Sequence, residues 1–165
     1  MKRMKKYVIL MISLMIIGCS RDNQNENVNA FNLDVGVEFS VINSDGEDIL
    51  NPNNPNAINK SDIKLFYLID GVKKEVYNSN YDYPRNFKIY EHQNEYRIAI
   101  WQNNTDSEEK PLTFVQWSKD ENDIDKIETI YERTSNAVLQ RKIWLNDDLL
   151  WESNSGIEPF FVLTK

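Results

Sequence analysis

The sequence predicts an all-β domain, an antiparallel β-sandwich of the immunoglobulin-like or a related kind, with a small up-and-down barrel as the alternative. Apolar and polar residues alternate along most of the chain, which is the pattern of strands that bury one face. Clusters of Gly, Asn, Asp and Pro interrupt this alternation at short, regular intervals and mark turns. A helical period of 3.6 competes with a strand only over residues 121–132.

The first predicted strand covers residues 33–41, where Leu, Val, Val, Phe and Val occupy every second position. Residues 51–56, Asn-Pro-Asn-Asn-Pro-Asn, are predicted as loop because proline donates no main-chain hydrogen bond. Residues 63–77 predict a hairpin, since Asp70–Gly71 is a typical tight turn between two apolar runs.

The remaining alternating segments predict seven more strands, at residues 87–91, 96–101, 112–117, 124–133, 138–145, 149–152 and 160–163. His92-Gln93-Asn94 closes the first pair as a hairpin, and residues 78–86 and 103–110 are predicted as loops. The predicted core consists of Val35, Val37, Phe39, Ile63, Leu65, Ile98, Ile100, Phe114 and Ile143.

The amino terminus has the three parts of a bacterial export signal. Four positive charges within residues 1–6 precede an apolar run at residues 7–17, which is shorter than the roughly 20 residues of a membrane-spanning helix. Cys19 is the only cysteine, and Ile16-Ile17-Gly18-Cys19 resembles the lipobox of bacterial lipoproteins. We therefore predict a signal peptide at residues 1–18, a lipidated Cys19 with a flexible tether at 19–30, and one β domain at 31–165.

A lipid on Cys19 predicts a location in the cell envelope, with the membrane as a partner through the N-terminal acyl chains. Several acyl chains hold a protein on a bilayer durably, whereas a single one does not. Ser20 follows the cysteine instead of the aspartate of inner-membrane retention, which favours the outer membrane, on its periplasmic or its cell-surface face.

Charge and composition argue against nucleic-acid binding and against stabilisation by disulfides. The chain has a formal net charge of −7, and removal of the four positive charges of residues 1–18 leaves −11. Such a chain is poorly suited to nucleic acid, because Lys and Arg contacts to phosphate supply most of that affinity. No cysteine remains for a disulfide, so the domain must be stabilised by its packing, for which 12% aromatic residues are sufficient.

Two motifs are similar to segments of small envelope lipoproteins of Bacteroidota. They are Asp48-Ile49-Leu50-Asn51-Pro52 after the first strand, and Lys142-Ile143-Trp144-Leu145-Asn146 leading into Leu149-Leu150-Trp151. The resemblance covers most of the mature chain and implies an envelope lipoprotein with a β-sandwich-like domain. It supplies no activity or catalytic residues to carry over. Asn146–Asp147 departs from the Asn-Gly that such relatives have at the late hairpin, which puts the tight turn in doubt.

The residues that carry catalysis or bind metals are scarce. His92 is the only histidine and lies in a predicted turn, and no Gly-x-Ser-x-Gly motif is present. Residues 43–48, Asn-Ser-Asp-Gly-Glu-Asp, offer the alternating oxygen ligands of a calcium loop, but Asn54 stands where the bidentate glutamate would fall. We therefore expect a polar turn there, and neither a catalytic centre, a bound metal nor a cofactor.

Four aromatic residues are the candidate binding residues: Trp101, Trp144, Tyr81 and Tyr83. Trp101 shares a strand face with Arg97 and Ala99, and Trp144 with Gln140 and Lys142, so both indoles are predicted to be partly exposed. The two tyrosines lie in the loop at 78–86. Exposed flat rings suit a sugar or a partner protein. The alternative is that the rings cover the sandwich edge or pack under the loop at 103–110.

These observations support three hypotheses about function. The first is a non-catalytic binding or structural lipoprotein that holds a partner protein or a glycan near the membrane. The second is a carbohydrate-binding accessory of a nutrient-uptake system, which the aromatic residues favour. The third is an inhibitor or immunity lipoprotein, because an acidic surface steers a protein toward a basic enzyme.

Overall fold

The computed structural model describes residues 30–165, which form eleven β-strands and no helix. The predicted signal peptide, Cys19 and the tether up to residue 29 lie outside the described residues. In chain order the strands are β1 (Asn32–Asp34), β2 (Gly36–Ile42), β3 (Lys64–Ile69), β4 (Val72–Glu75), β5 (Phe87–His92), β6 (Glu95–Trp101), β7 (Leu112–Gln116), β8 (Ile124–Arg133), β9 (Ala137–Leu145), β10 (Asp148–Glu152) and β11 (Phe160–Thr164).

The strands form two sheets that enclose one core, as the predicted sandwich requires. Sheet A has seven strands in the order β1-β9-β8-β7-β3-β4, with β10 on the same edge of β9 as β1; sheet B has the order β11-β2-β6-β5. Each sheet ends in edge strands, so the alternative of a closed barrel is wrong. Two edge pairs, β1 with β9 and β11 with β2, are parallel, so the sheets are mixed and not purely antiparallel.

The predicted first strand divides at Val35 into two strands that belong to different sheets. Asp34 pairs with Leu139 in sheet A, whereas Gly36 pairs with Trp101 in sheet B. The side-chain amide of Gln140 bridges the two strands at this crossing. It donates to Asp34 Oδ1 at 2.8 Å and to the Gly36 carbonyl at 2.7 Å. The alternation continues through the crossing, so the sequence pattern contains no sign of it.

Eight of the nine predicted core residues are buried, and Phe114 is the exception. On β7 the side chains of Thr113, Val115 and the following Trp117 are buried, which places Phe114 on the outer face of sheet A. There the ammonium of Lys73 lies 4.5 Å from the centre of its ring. The prediction for Phe114 is wrong because both faces of this strand carry large apolar residues, and a shift of one residue exchanges them.

The predicted faces of β9 are wrong on the N-terminal side of a β-bulge at Arg141. Ile130 pairs with Lys142 and Tyr131 with Gln140, so one residue of β9 has no partner in β8. The extra residue reverses the alternation, and Gln140 becomes 1% exposed inside the sandwich instead of sharing the outer face with Trp144.

The remaining local predictions agree with the structure except for the helical alternative. Residues 124–133 form β8, so the competing helix over 121–132 is wrong. Asp70 and Gly71 have φ values of 54° and 73°, as the predicted tight turn requires. Asn146 and Asp147 have φ values of 50° and 76° and form the late hairpin turn despite lacking the glycine.

One end of the sandwich, which we call the closed end, is sealed by a buried polar cluster. The indole of Trp117, 1% exposed, donates to Asp125 Oδ2 at 2.7 Å, and Asn146 donates to Oδ1 at 2.8 Å. The ammonium of Lys165 lies 2.7 Å from Asp125 Oδ2. Burial alone would raise the pKa of Asp125, but the hydrogen bonds from Lys165, Asn146 and Trp117 outweigh it and hold the pKa below its ordinary value.

Candidate functional site

Three of the four predicted aromatic residues meet at the opposite end of the sandwich, which we call the open end. The two ends are opposite because strand β8 runs from one to the other. It starts at the closed end, and the guanidinium of its last residue, Arg133, donates to the Asn104 carbonyl at the open end. Trp101 ends β6, and its half-buried ring stacks on that of Tyr83, with centres 5.2 Å apart and planes 19° apart. Tyr81 lies beside them with 58% of its surface exposed.

Trp144 lies apart from the other three, on the outer face of sheet A. It pairs with Glu128 on β8 and Leu149 on β10, and the ammonium of Lys110 lies 4.2 Å from the centre of its ring. This position matches the packing alternative, since Lys110 ends the predicted loop at 103–110. The partial exposure predicted for both indoles is confirmed, because both residues are half-buried.

A ring of three hydrogen bonds fixes Trp101 at the open end. The Trp101 N–H donates to the Asn86 carbonyl at 3.0 Å, the Asn86 amide donates to the Tyr67 hydroxyl at 2.9 Å, and that hydroxyl donates to the Trp101 carbonyl at 2.7 Å. Burial raises the pKa of Tyr67, although the hydrogen bond from Asn86 opposes this effect, so the phenol stays protonated and able to donate.

The loop at 78–86 is held in one conformation by its own main chain. Asn78 N–H donates to the Pro84 carbonyl at 2.8 Å, and Asn86 N–H donates to the Tyr83 carbonyl at 2.9 Å. Asn86 adopts a left-handed conformation with φ of 53°, which Asn tolerates better than most residues. The Arg85 guanidinium ties the loop to the chain before β3 by donating to the Ile63 carbonyl at 2.9 Å. The two tyrosines therefore project from an ordered loop.

The loop and the end of β6 enclose an open cleft of about 580 Å³, which we call the tyrosine cleft. It has the size of a small-molecule site. Its lining combines aromatic, amide and aliphatic side chains and one carboxylate, from Leu33, Val35, Tyr67, Asn80, Tyr81, Asp82, Tyr83, Asn86, Trp101, Gln102 and Asn104.

Two neighbouring cavities border the tyrosine cleft through the stacked pair. One, of about 470 Å³, shares Asp82 and Tyr83 with the cleft, and the other, of about 390 Å³, shares Trp101. Each stacked residue therefore borders more than one concave region, and the recessed surface continues beyond the cleft on both sides.

A buried polar network supports the floor of the cleft. The Gln102 amide donates to Gln140 Oε1 at 2.6 Å, and Thr129 donates to Gln102 Oε1. Gln102 and Gln140 are 2% and 1% exposed. Since each end of the Gln102 amide has a partner and the residue is buried, its side chain shapes the floor of the cleft.

The sequence did not single out the polar residues of the cleft. Asn80, Asp82, Asn86 and Asn104 lie in predicted loops whose composition is common to many turns. Alternation along β3 places Tyr67 on the same inward face as Leu65. Its hydrogen bond to Trp101, however, joins residues 34 positions apart in the chain. Pairing across that distance follows from the packing of the two sheets and cannot be derived from a local pattern.

The residues considered for catalysis or metal binding lie away from the cleft. His92 ends β5, is half-buried and meets the Tyr90 ring edge-on at 6.4 Å between centres. Tyr90 in turn donates to Glu38 at 2.7 Å, and burial together with that carboxylate raises the pKa of Tyr90 to about 12.

The predicted polar turn at 43–48 is tied together by its own side chains. Asn43 Oδ1 accepts the N–H groups of Asp45 and Glu47, and Asp48 accepts those of Leu50 and Tyr96. Within residues 30–165 no three His, Cys, Asp or Glu side chains form a group that could hold a metal ion. The same residues contain no helix that could cross a membrane.

No protein-family model, curated protein or solved structure matches this chain.

Proposed function

We propose that this chain is a non-catalytic lipoprotein of the cell envelope whose β domain binds its partner through the tyrosine cleft. The observation that carries this proposal is the convergence of Tyr81, Tyr83 and Trp101 around an open cleft. Large aromatic rings left accessible at a concave surface are typical of binding sites, because they desolvate much area at a small entropic cost. The resemblance to envelope lipoproteins of Bacteroidota supports the envelope-lipoprotein part of this proposal.

The lipid anchor is tested by labelling cells with a radioactive fatty acid. We expect label on the wild-type protein and a smaller, processed form in the membrane fraction. The Cys19→Ser variant should stay an unlabelled precursor. Processing and labelling of that variant would show that the lipobox prediction is wrong.

The binding role is tested by affinity capture from the native envelope with the full-length tagged protein. We expect wild type and Trp144→Ala to retain the same molecule, and Trp101→Ala to lose it. Trp144 is the matched control, because it is also a half-buried indole on an outer sheet face but lies outside the cleft. Equal retention by both variants would rule out the cleft as the binding surface.

The acidity of the chain favours the inhibitor or immunity hypothesis as a second candidate. A net charge of −11 for the mature chain would accelerate association with a basic enzyme, and this acceleration would fall with salt. If affinity capture retains a basic enzyme, an association rate that drops steeply between 50 and 500 mM salt is the expected result. A rate independent of salt would exclude electrostatic steering and with it this candidate.

A further inference from the structure

We infer that the tyrosine cleft binds an uncharged oligosaccharide. This inference rests on the proposed binding role of the cleft and specifies the chemical class of its ligand. The lining side chains, their hydrogen-bonding state and the absence of cations among them carry the argument.

The aromatic side chains provide the apolar part of the site. Pyranose rings have an apolar face of C–H groups, which packs against a flat aromatic ring. Tyr83 and Trp101 cover one face of each other, and both line the tyrosine cleft, where the surface that each leaves open can pack against a sugar ring. Tyr81, with 58% of its surface exposed, adds a third ring that the fold itself does not use.

The polar side chains provide donors and acceptors of the kind that hydroxyl groups need. Asn80 donates its main-chain N–H to Asn78, and Asn104 accepts Arg133 through its main-chain carbonyl. Among the described residues, neither side-chain amide has a hydrogen-bond partner, so each offers a donor and an acceptor. Together with the exposed carboxylate of Asp82, they can bind neighbouring hydroxyl groups in pairs.

The charge inside the tyrosine cleft disfavours anionic ligands, although the Lys88 ammonium lies 5.7 Å from the centre of the Tyr83 ring and Lys60, Arg85 and Arg97 line the neighbouring cavities. None of the described residues that line it is Lys, Arg or His, and Asp82 contributes a negative charge. Phosphates, sulfates and uronic acids would lose their hydration without gaining a cationic partner. Among glycans, the cleft therefore favours neutral ones.

The geometry of the cleft is formed before a ligand arrives. The hydrogen bonds within the loop at 78–86 and the ring of bonds among Tyr67, Asn86 and Trp101 fix the main chain that carries the aromatic rings, and Tyr83 and Trp101 also stack on each other. A ligand then does not need to order the site, which saves the entropy that a mobile loop would lose.

Isothermal titration of the full-length protein, purified in detergent, tests this inference. The probes are the trimers of the cello-, xylo-, manno-, malto- and chito-oligosaccharide series, with trigalacturonic acid as the anionic control and adenosine as a neutral, aromatic non-sugar. We expect at least one neutral trimer to bind with a micromolar to millimolar Kd, and trigalacturonic acid and adenosine not to bind.

Substitutions then locate the site. Trp101→Ala should weaken binding at least about tenfold, as truncation of a central aromatic contact does. Tyr81→Ala should weaken it about threefold or more, and this variant cannot damage the core because the side chain is largely exposed. Trp144→Ala should bind like wild type.

Three results would overturn the inference. In the first, none of the neutral trimers binds. In the second, trigalacturonic acid or adenosine binds more strongly than every neutral trimer. In the third, a glycan binds but neither Trp101→Ala nor Tyr81→Ala weakens its binding. If affinity capture is lost in Trp101→Ala while no neutral glycan binds, the binding role of the cleft stands and the glycan inference alone is wrong.

Discussion

The two ends of the sandwich use the same side chain, tryptophan, in opposite ways. At the closed end Trp117 is 1% exposed and donates its indole N–H to a buried carboxylate. At the open end Trp101 is half-buried, stacks on an exposed tyrosine and borders two cavities. A buried acceptor makes the first indole part of the fold, whereas the second retains surface that a ligand can cover.

The difference between the two indoles arises from the chain segment that packs at each end of the sandwich. The closed end receives Lys165 after β11, and its ammonium balances the charge of Asp125 while its main-chain N–H donates to the Ile42 carbonyl at 2.8 Å. The open end receives the loop at 78–86, which satisfies its own main chain and leaves its tyrosines outward. The ion pair of Lys165 with Asp125 therefore covers the closed end, whereas the rings at the open end stay accessible.

The largest effect is expected from Trp117→Ala. The substitution removes a fully buried indole and leaves Asp125 without one of its donors, so the free energy of unfolding should fall by about 3–5 kcal/mol. Urea denaturation followed by circular dichroism measures this loss. A loss below 1 kcal/mol would contradict the assignment of the closed end as a part of the core.

The next effect is expected from Asp125→Asn, which should lower the free energy of unfolding at pH 7 by about 2 kcal/mol because a hydrogen-bonded buried charge is lost. The pKa of Asp125 is lower in the folded than in the unfolded protein. Its ionisation therefore stabilises the fold fully above the unfolded pKa, near 4, and this contribution disappears as the pH falls through the folded value.

Urea denaturation of wild type and Asp125→Asn at a series of pH values checks this prediction. The difference in unfolding free energy between the two proteins should shrink progressively below about pH 4. A difference that stays constant down to the lowest pH would show that the charge of Asp125 does not contribute.

A smaller effect is expected from Trp101→Ala, about 1 kcal/mol, because a half-buried ring and its stack on Tyr83 are lost but no core residue is uncovered. The same urea titration measures it. A loss as large as that of Trp117→Ala would mean that the two ends do not differ and that Trp101 is a structural residue.

The smallest effect is expected from Tyr81→Ala, less than about 0.5 kcal/mol, as is usual for an exposed side chain without structural contacts. Its melting temperature should be that of wild type. A clear loss of stability here would show that Tyr81 supports the loop at 78–86 and would weaken its assignment to the tyrosine cleft.

Much of the fold could be predicted from local pattern alone. Alternation places Val37 and Phe39 on β2, Leu65 on β3 and Ile98 and Ile100 on β6 in the core, and all five are buried. The Asp70–Gly71 turn follows from the ability of both residues to adopt a positive φ. These predictions succeed because one face of each strand is apolar and the other polar.

Prediction fails where the local pattern is consistent with two arrangements. Phe114 lies on a strand with large apolar residues on both faces, so only packing against Lys73 and the neighbouring strands selects the register. The bulge at Arg141 reverses the faces of β9 without any mark in the sequence, and it places Gln140 where it can reach Asp34 and Gly36.

The sequence by itself determined the all-β class, the strand positions, most of the core and the set of four aromatic candidates, because side-chain alternation and turn chemistry are local properties. Only the tertiary structure decided that the first strand changes sheets at Val35 and that Trp101 meets Tyr81 and Tyr83 while Trp144 does not. Those outcomes depend on contacts between residues far apart in the chain. Such contacts form only when two sheets with fixed register and twist pack face to face.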